Sequence, residues 1–414
     1  MARDRLGILA ALAVLVALAL PGASAVADTS TAAWVPHGER IAGTAKSTTA
    51  PQLTAGHTYQ DTLAKGGTKY YAVRLDALSS AYLSVFALPP RGSSVGFLDG
   101  VSLKLLGRDG TECDAYDARF GADGAVQPVG GAVLRTIKLD ATCQQAGDYL
   151  LSVQRVSATA SSAEDWPLDI RYMSEPPASG VGSGPVQSYE TATPPAVSGS
   201  PRPVVGDPDM DGGAARLPGT GVYQDHLAPG ETHFYRVPVD WGQRLTATAE
   251  FANADKTGTG GFSTSGVRLV VYNPARGQVS GADASYSGAQ AAVTAQTPTV
   301  DYLNRESADV RINSAPVAGW YYVQLSLHPD VARYTTGGVD VTLRLAVTGT
   351  PQPGPRYTGD AAKAGFGVTA TAVAGGDGAG TPNRMLLAVG YGGLGTGTAL
   401  VAGLAVWALR ARRR

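Results

Sequence analysis

Several short stretches carry residue types at spacings that could do chemistry. Asp207-Pro208-Asp209-Met210-Asp211-Gly212 reads like the first half of a calcium loop, in which alternate carboxylates face one hard cation and glycine makes the turn. The twelfth position, which would supply a bidentate carboxylate, is Pro218. Asp207, Asp209 and Asp211 are therefore a calcium candidate without its closing ligand. Gly92-Ser93-Ser94-Val95-Gly96 spells G-x-S-x-G, but that nucleophile needs a strand-to-helix elbow. Here it follows Pro89-Pro90 with no helical pattern behind it. The histidines are His37, His57, His226, His233 and His328, and none adjoins that serine as a general base would require.

Two further motifs are spelled by letters alone. Leu217-Pro218-Gly219-Thr220-Gly221 matches a sortase sorting signal, which needs an apolar segment and basic tail directly after it; here both lie far downstream. Gly390-Tyr391-Gly392-Gly393-Leu394-Gly395 matches a dinucleotide fingerprint, but no strand precedes it. No Cys or His cluster has zinc spacing and no Walker-type phosphate loop occurs. The expectation is a chain that is not an enzyme and holds no cofactor.

The elements that would position any site are strands, and they are written twice. Residues 59–73 read YQDTLAKGGTKYYAV and residues 223–237 read YQDHLAPGETHFYRV. A shift of 164 residues carries Tyr59-Gln60-Asp61 onto Tyr223-Gln224-Asp225 and Gly66 onto Gly230. Small insertions then widen the offset: Gly100-Val101-Ser102-Leu103 meets Gly266-Val267-Arg268-Leu269, and Ala146-Gly147-Asp148-Tyr149 meets Ala318-Gly319-Trp320-Tyr321. The order of matches never changes, which marks a tandem duplication.

Each matched segment alternates apolar and polar residues with period two, the mark of a half-buried strand. One face collects Tyr71, Val73 and Leu75, then Leu83, Val85 and Ala87, Val101, Leu103 and Leu105, Tyr149, Leu151 and Val153, and Leu168, Ile170 and Tyr172. Strands with one apolar face cannot bury it alone, so two sheets must pack. Each repeat is predicted to be a β-sandwich, with Gly66 and Gly230 at the turn between its first two strands, where positive φ is cheap for glycine.

The pattern Leu63-x-x-Gly66-x-x-x-Tyr70-Tyr71-x-Val73, followed by a Val-x-Leu strand and a closing Ala146-Gly147-x-Tyr149, resembles the bacterial pre-peptidase C-terminal (PPC) domain. That resemblance implies an all-β fold of two tandem jelly-roll-like sandwiches of a kind appended to exported proteins. Relatives that bind collagen carry an Asp-x-Asp linked to calcium before the middle strand. The corresponding positions here are Leu98-Asp99-Gly100-Val101 and Thr264-Ser265-Gly266-Val267, with one acidic residue in the first repeat and none in the second.

The chain ends add a topology. Residues 1–27 have a charged start, an apolar run and small-residue steps at Ala23-Ser24-Ala25 and Ala25-Val26-Ala27, as in a cleaved signal peptide. Residues 385–409 contain no charge and precede Arg410, Arg412, Arg413 and Arg414. At about 1.5 Å per residue that segment spans a hydrocarbon core of about 30 Å, with the basic tail, 410–414, in the cytoplasm. Gly395, Ala399 and Gly403 recur every fourth residue, spacing that lets two helices approach closely in lipid. The sandwiches are predicted over 35–173 and 204–347, with a Pro/Gly/Ser tether at 174–203 and a stalk at 348–383.

Cys113 and Cys143 are the only cysteines, and in an oxidising exterior the pair is expected to form one disulfide. Closing that loop stabilises by about 3–4 kcal/mol in the chain-entropy model. A formal net charge of −1 without basic runs outside the tail argues against nucleic acid as a partner. The expectation is a single-pass cell-membrane protein, its bulk outside. It would bind or display to an extracellular protein or cell-wall ligand, with self-association through its helix. The competing reading is an accessory subunit of an exported enzyme or secretion apparatus. Trp241 and Trp320 are candidate contact residues near the sandwich ends.

Overall fold

The computed structural model describes residues 33–368 except 122–124, 139–140, 181–187, 193, 195–196, 211–212 and 258–260. The leader, the apolar segment with Gly395, Ala399 and Gly403, the basic tail and Asp211 lie outside the described residues. Among the described residues no helix is long and apolar enough to cross a membrane.

The period-two segments form strands in both repeats. In the first these are β1 (Thr58–Leu63), β2 (Thr68–Leu75), β3 (Ser80–Ala87), β4 (Gly100–Gly107), β5 (Glu112–Arg119), β6 (Val129–Arg135), β7 (Gly147–Val156) and β8 (Trp166–Glu175). The second repeats them as β9 (Gly221–Leu227), β10 (Thr232–Val239), β11 (Arg244–Phe251), β12 (Ser263–Tyr272), β13 (Gln278–Tyr286), β14 (Ala291–Gln296), β15 (Gly319–Leu327) and β16 (Val339–Thr348). Strand neighbours run β1-β8-β3-β6 and β2-β7-β4-β5 in the first repeat, and β9-β16-β11-β14 and β10-β15-β12-β13 in the second. The same order twice makes two β-sandwiches. Successive strands alternate between the two sheets except at the hairpins β4–β5 and β12–β13, whose strands are neighbours in one sheet.

The cores are the faces that the alternation marks. Tyr71, Val73, Leu83, Val85, Leu103, Leu151 and Ile170 are sealed in one cluster and their counterparts Tyr235, Val237, Leu269, Val323 and Leu343 in the other. Each fully buried aliphatic or aromatic chain contributes about 1.5–3 kcal/mol by leaving water. Gly66 and Gly230 turn between the first two strands at φ +69° and +83°. Cys113 and Cys143 are joined in a disulfide, which ties the start of β5 to the approach to β7.

The tether expected between two globules is corrected by the structure. The outer face of the sheet holding β3 and β8 packs on the outer face of the sheet holding β10, β15 and β12, so the chain stacks four sheets. Consequently β3 is buried at every position. Its inward residues fill the first sandwich, while Phe86 meets Tyr272, with ring centroids 5.7 Å apart. Trp34 wedges between Phe86 and Phe234, at 5.2 and 5.4 Å. The sequence cause is that these outward positions are apolar on facing sheets, and exposing so broad an apolar face is unfavourable.

Two buried ion pairs cross this junction. Asp169 on β8 meets Arg276 at 2.7 Å, both side chains fully buried. Arg276 occupies the β12–β13 turn at φ +64°, a left-handed conformation costing about 1 kcal/mol or more for a non-glycine residue; it projects its guanidinium into the junction over Trp34. Glu175 at the end of β8 takes Arg305 in a two-pronged pair, Nη1 to Oε2 at 3.2 Å and Nη2 to Oε1 at 3.0 Å. Tyr82 and Tyr357 also donate to Glu175, at 2.9 and 2.8 Å, so its carboxylate is saturated.

The segments read as tether and stalk are strapped to the body. Gln296 of β14 donates to the Glu190 carbonyl and Arg344 of β16 to that of Val197, laying this part of the linker on the outer face of the second sandwich. Ala178–Ser179 pairs with Arg356–Tyr357, and Phe366 is buried against Tyr82.

Candidate functional site

The duplicated Tyr-Gln-Asp motif proves to be scaffolding. Asp61 accepts from the Gly43 amide at 2.8 Å, Lys69 Nζ at 2.6 Å and the Tyr71 hydroxyl at 2.7 Å. Asp225 repeats this with the Gly206 amide at 2.9 Å, His233 Nδ1 at 2.7 Å and the Tyr235 hydroxyl. One buried carboxylate thereby pins the incoming chain to the second strand of each sandwich. Burial pushes the Tyr71 and Tyr235 hydroxyls far up, and the adjacent carboxylate adds to it, so both remain donors.

The calcium candidate divides. Asp207 Oδ1 accepts the Asp209 amide at 3.1 Å, burial raises its carboxyl above the usual range, and Met210 is buried in the junction beside Trp34 and Phe234. Asp209 lies 3.8 Å from His37. Asp211 lies outside the described residues, and among the described residues no group of three or more His, Cys, Asp or Glu side chains is arranged to hold a metal. Asp99, the residue left of the relatives' Asp-x-Asp, does not fit calcium either. Its Oδ1 accepts from the Ala158 amide and its Oδ2 from the Ser161 hydroxyl, so both oxygens are occupied internally.

Other sequence candidates are also structural. The Ser94 amide donates to the Ser162 hydroxyl and its carbonyl accepts from the Ser162 amide, in a loop rather than an elbow. Leu217 is a core residue, and the Gly219 carbonyl beside it accepts from Tyr223. Trp241 is buried in the second core, not displayed. Trp320 is partly exposed but lies near two guanidinium groups, Arg216 and Arg236, at 5.8 and 5.6 Å.

What the sequence does not disclose is the groove created where the two sandwiches meet. Three adjoining cavities of about 280, 490 and 270 Å³ run beneath the segment that includes Val126, Gln127 and Pro128. The first reaches Trp34, the middle one lies between the β5 end and the β9–β10 turn at Gly230, and the last ends where Tyr116 of β5 donates to Gln278 of β13 at 3.1 Å. Both repeats therefore contribute walls. Volumes of this size suit a small ligand or single units of a polymer.

The floor of the groove is polar. Tyr272 donates to Gln324 at 2.9 Å, Gln324 donates to Ser326 at 3.0 Å, and Ser326 meets Thr232 at 3.0 Å. Arg268 lines the middle and last cavities and makes no hydrogen bond or ion pair among the described residues, although Asp283 is its register partner on β13. Burial pushes the Tyr116 and Tyr272 hydroxyls up, with the nearby Arg268 charge opposing it, and all three side chains line the last cavity. Arg119 lines the same cavities, its Nη1 held by the Val101 and Ala118 carbonyls at 3.0 and 3.1 Å and its Nη2 3.2 Å from Asp117.

His328 also lines the middle cavity. Its Nδ1 accepts the Asp330 amide at 3.0 Å, which assigns the ring proton to Nε2. That donor is buried and has no acceptor, an arrangement that costs about 1–3 kcal/mol unless something accepts from it. The first sandwich has no second copy of this set. Ser102 stands where Arg268 does, opposite Gln154 instead of Ser326.

No family model and no curated protein matches this chain. Solved structures similar to parts of it include the pre-peptidase C-terminal domain of a collagenase from Bacillus anthracis, at 12% identity over 30% of this chain and 93% of that one, with a TM-score of 0.19. The CUB1-EGF-CUB2 region of human MASP-1/3 aligns at 8% identity over 70% and 99% of the two chains, with a TM-score of 0.18. A tandem CBM22 pair from Paenibacillus barcinonensis Xyn10C aligns at 10% identity over 72% and 88%, with a TM-score of 0.17. At these scores the architecture rests on its own strand pairing.

Proposed function

We propose that this chain is a non-enzymatic binding protein of the cell surface, exported by its leader and held by one C-terminal helix, whose two sandwiches act as one rigid body to take an extracellular ligand in the groove between them. The observation that carries the reading is the groove itself: walls from both repeats, lined by the Arg268 guanidinium and the His328 Nε2–H, which have no hydrogen-bond partner among the described residues. The membrane placement rests on the uncharged 385–409 segment and its arginine tail. The PPC-like pattern of the sequence agrees with an exported protein.

Filling the groove tests it. Thr264 is exposed at the rim of the middle cavity, so Thr264→Trp adds a ring there without disturbing either core. The purified full chain, applied to arrays of envelope glycans and peptides, is expected to retain a defined subset of them. Thr264→Trp should lose that retention while keeping the wild-type melting temperature. Equal retention by the two proteins would refute the groove as the site.

A further inference from the structure

We propose that the groove takes an acidic saccharide, its anionic group seated between Arg268, Arg119 and His328 in the middle cavity; this rests on the binding reading above. The charge argument starts from Arg268. A half-buried guanidinium on the wall shared by two cavities has lost part of its hydration, and no carboxylate among the described residues forms an ion pair with it. It presents a planar fork that matches a carboxylate or sulfate in two parallel bonds. The His328 Nε2–H supplies a neutral donor of the kind an oxyanion accepts from. Arg119 adds a second positive charge on the same walls.

Two carboxylates border the site and bear on its selectivity. Asp283 lines the middle cavity, where its Oδ2 accepts the Ser265 hydroxyl at 2.8 Å, and Asp117 lines the last, 3.2 Å from Arg119. Against Arg119 and Arg268 they leave the middle and last cavities close to neutral, so a dense polyanion is a poorer fit there than one charge set among hydroxyls. The lining around Arg268, unlike the first cavity with its Trp34, Leu88, Pro89 and Pro90, favours sugar over peptide. A peptide draws most of its affinity from apolar or aromatic anchors in dry pockets. Around Arg268 the groove instead offers the amides of Gln127 and Gln278, which both donate and accept, as sugar hydroxyls do, over the internally bonded Gln324 and Ser326.

Isothermal titration of the full chain with tetragalacturonate, a singly sulfated tetrasaccharide and neutral maltotetraose tests this. The acidic probes are expected to bind more tightly than maltotetraose and to weaken with added salt. Whichever acidic probe binds better identifies carboxylate or sulfate as the group recognised. Arg268→Gln should weaken that binding about tenfold or more, with an unchanged melting temperature, and Arg268→Lys should recover part of it. Maltotetraose bound as tightly as the acidic probes, or full affinity in Arg268→Gln, would overturn the assignment. If neutral or peptide probes alone bind and Thr264→Trp abolishes their binding, the groove reading stands and the acidic-saccharide assignment fails. If no probe shows binding sensitive to Thr264→Trp, the groove reading fails with it.

Discussion

Arg305→Ala is expected to cost about 3–5 kcal/mol and to uncouple the sandwiches. In the native chain Arg305 comes from the second sandwich and is 2% exposed; its side chain meets Glu175 of the first sandwich through both nitrogens of the fork. Removing the cation leaves a carboxylate in the junction with only the Tyr82 and Tyr357 hydroxyls to solvate it. A buried charge without its counter-ion is far more costly than the pair was favourable, because both desolvation costs were already incurred in folding. The double replacement Arg305→Met with Glu175→Leu removes both charges and should recover most of the loss. Urea denaturation followed by tyrosine and tryptophan fluorescence provides the check: one transition in the native chain, two in Arg305→Ala, one again in the double variant. A loss below about 1 kcal/mol in Arg305→Ala would show that water reaches Glu175 and that the junction is not the sealed contact described.

The sandwiches were legible because period-two alternation is a local signal, and every inward face named from it lies in a core cluster. The junction between them was not read, although its signal is present. On β3 the outward positions are Tyr82, Ser84 and Phe86, whereas the matching positions of β11 are Thr246, Thr248 and Glu250. Alternation sorts residues into two faces and by itself marks only the more apolar one as buried. The difference between copies is the informative quantity: homologous sheets with unequal outer faces imply that one outer face is covered. The linker misled for a related reason. Composition reports stiffness, but Glu190 and Val197 are fixed through their backbone carbonyls, which any residue type supplies.

The groove was illegible for a stronger reason. Arg268 is an ordinary outward residue of β12 and His328 follows the end of β15, and neither spells a motif with its neighbours. Their significance depends on what they fail to touch, a property of the packed chain alone. The motifs that do spell something were absorbed by the fold, with Met210 sealing the junction and Leu217 a core. Cys113 and Cys143 were found because disulfide pairing needs only two candidates and an oxidising compartment.

Stability should fall by roughly 3 kcal/mol as pH rises from about 6.5 through about 9, because of a single difference between the two copies of the Tyr-Gln-Asp clasp. Where the first copy places Lys69 against Asp61, the second places His233 against Asp225. Burial works against a charged imidazole there, but its hydrogen bonds to the Asp225 and Glu231 carboxylates prevail and lift its pKa from the ordinary 6.5 to about 9. A folded value above the unfolded one means that the stabilisation is complete below the unfolded pKa and lost as pH climbs through the folded one. At about 1.4 kcal/mol per unit, the raised value corresponds to the loss stated. Asp225 and Glu231 behave oppositely. Both are held low despite burial, by His233 and by backbone amides, so their contribution disappears on acidification. The chain should therefore be most stable between those limits. Denaturation midpoints across that range, in the native chain and in His233→Lys, which copies the first repeat, check the assignment. The variant should lose the alkaline slope while keeping the acid one, and an unchanged alkaline slope would mean that another group titrates there.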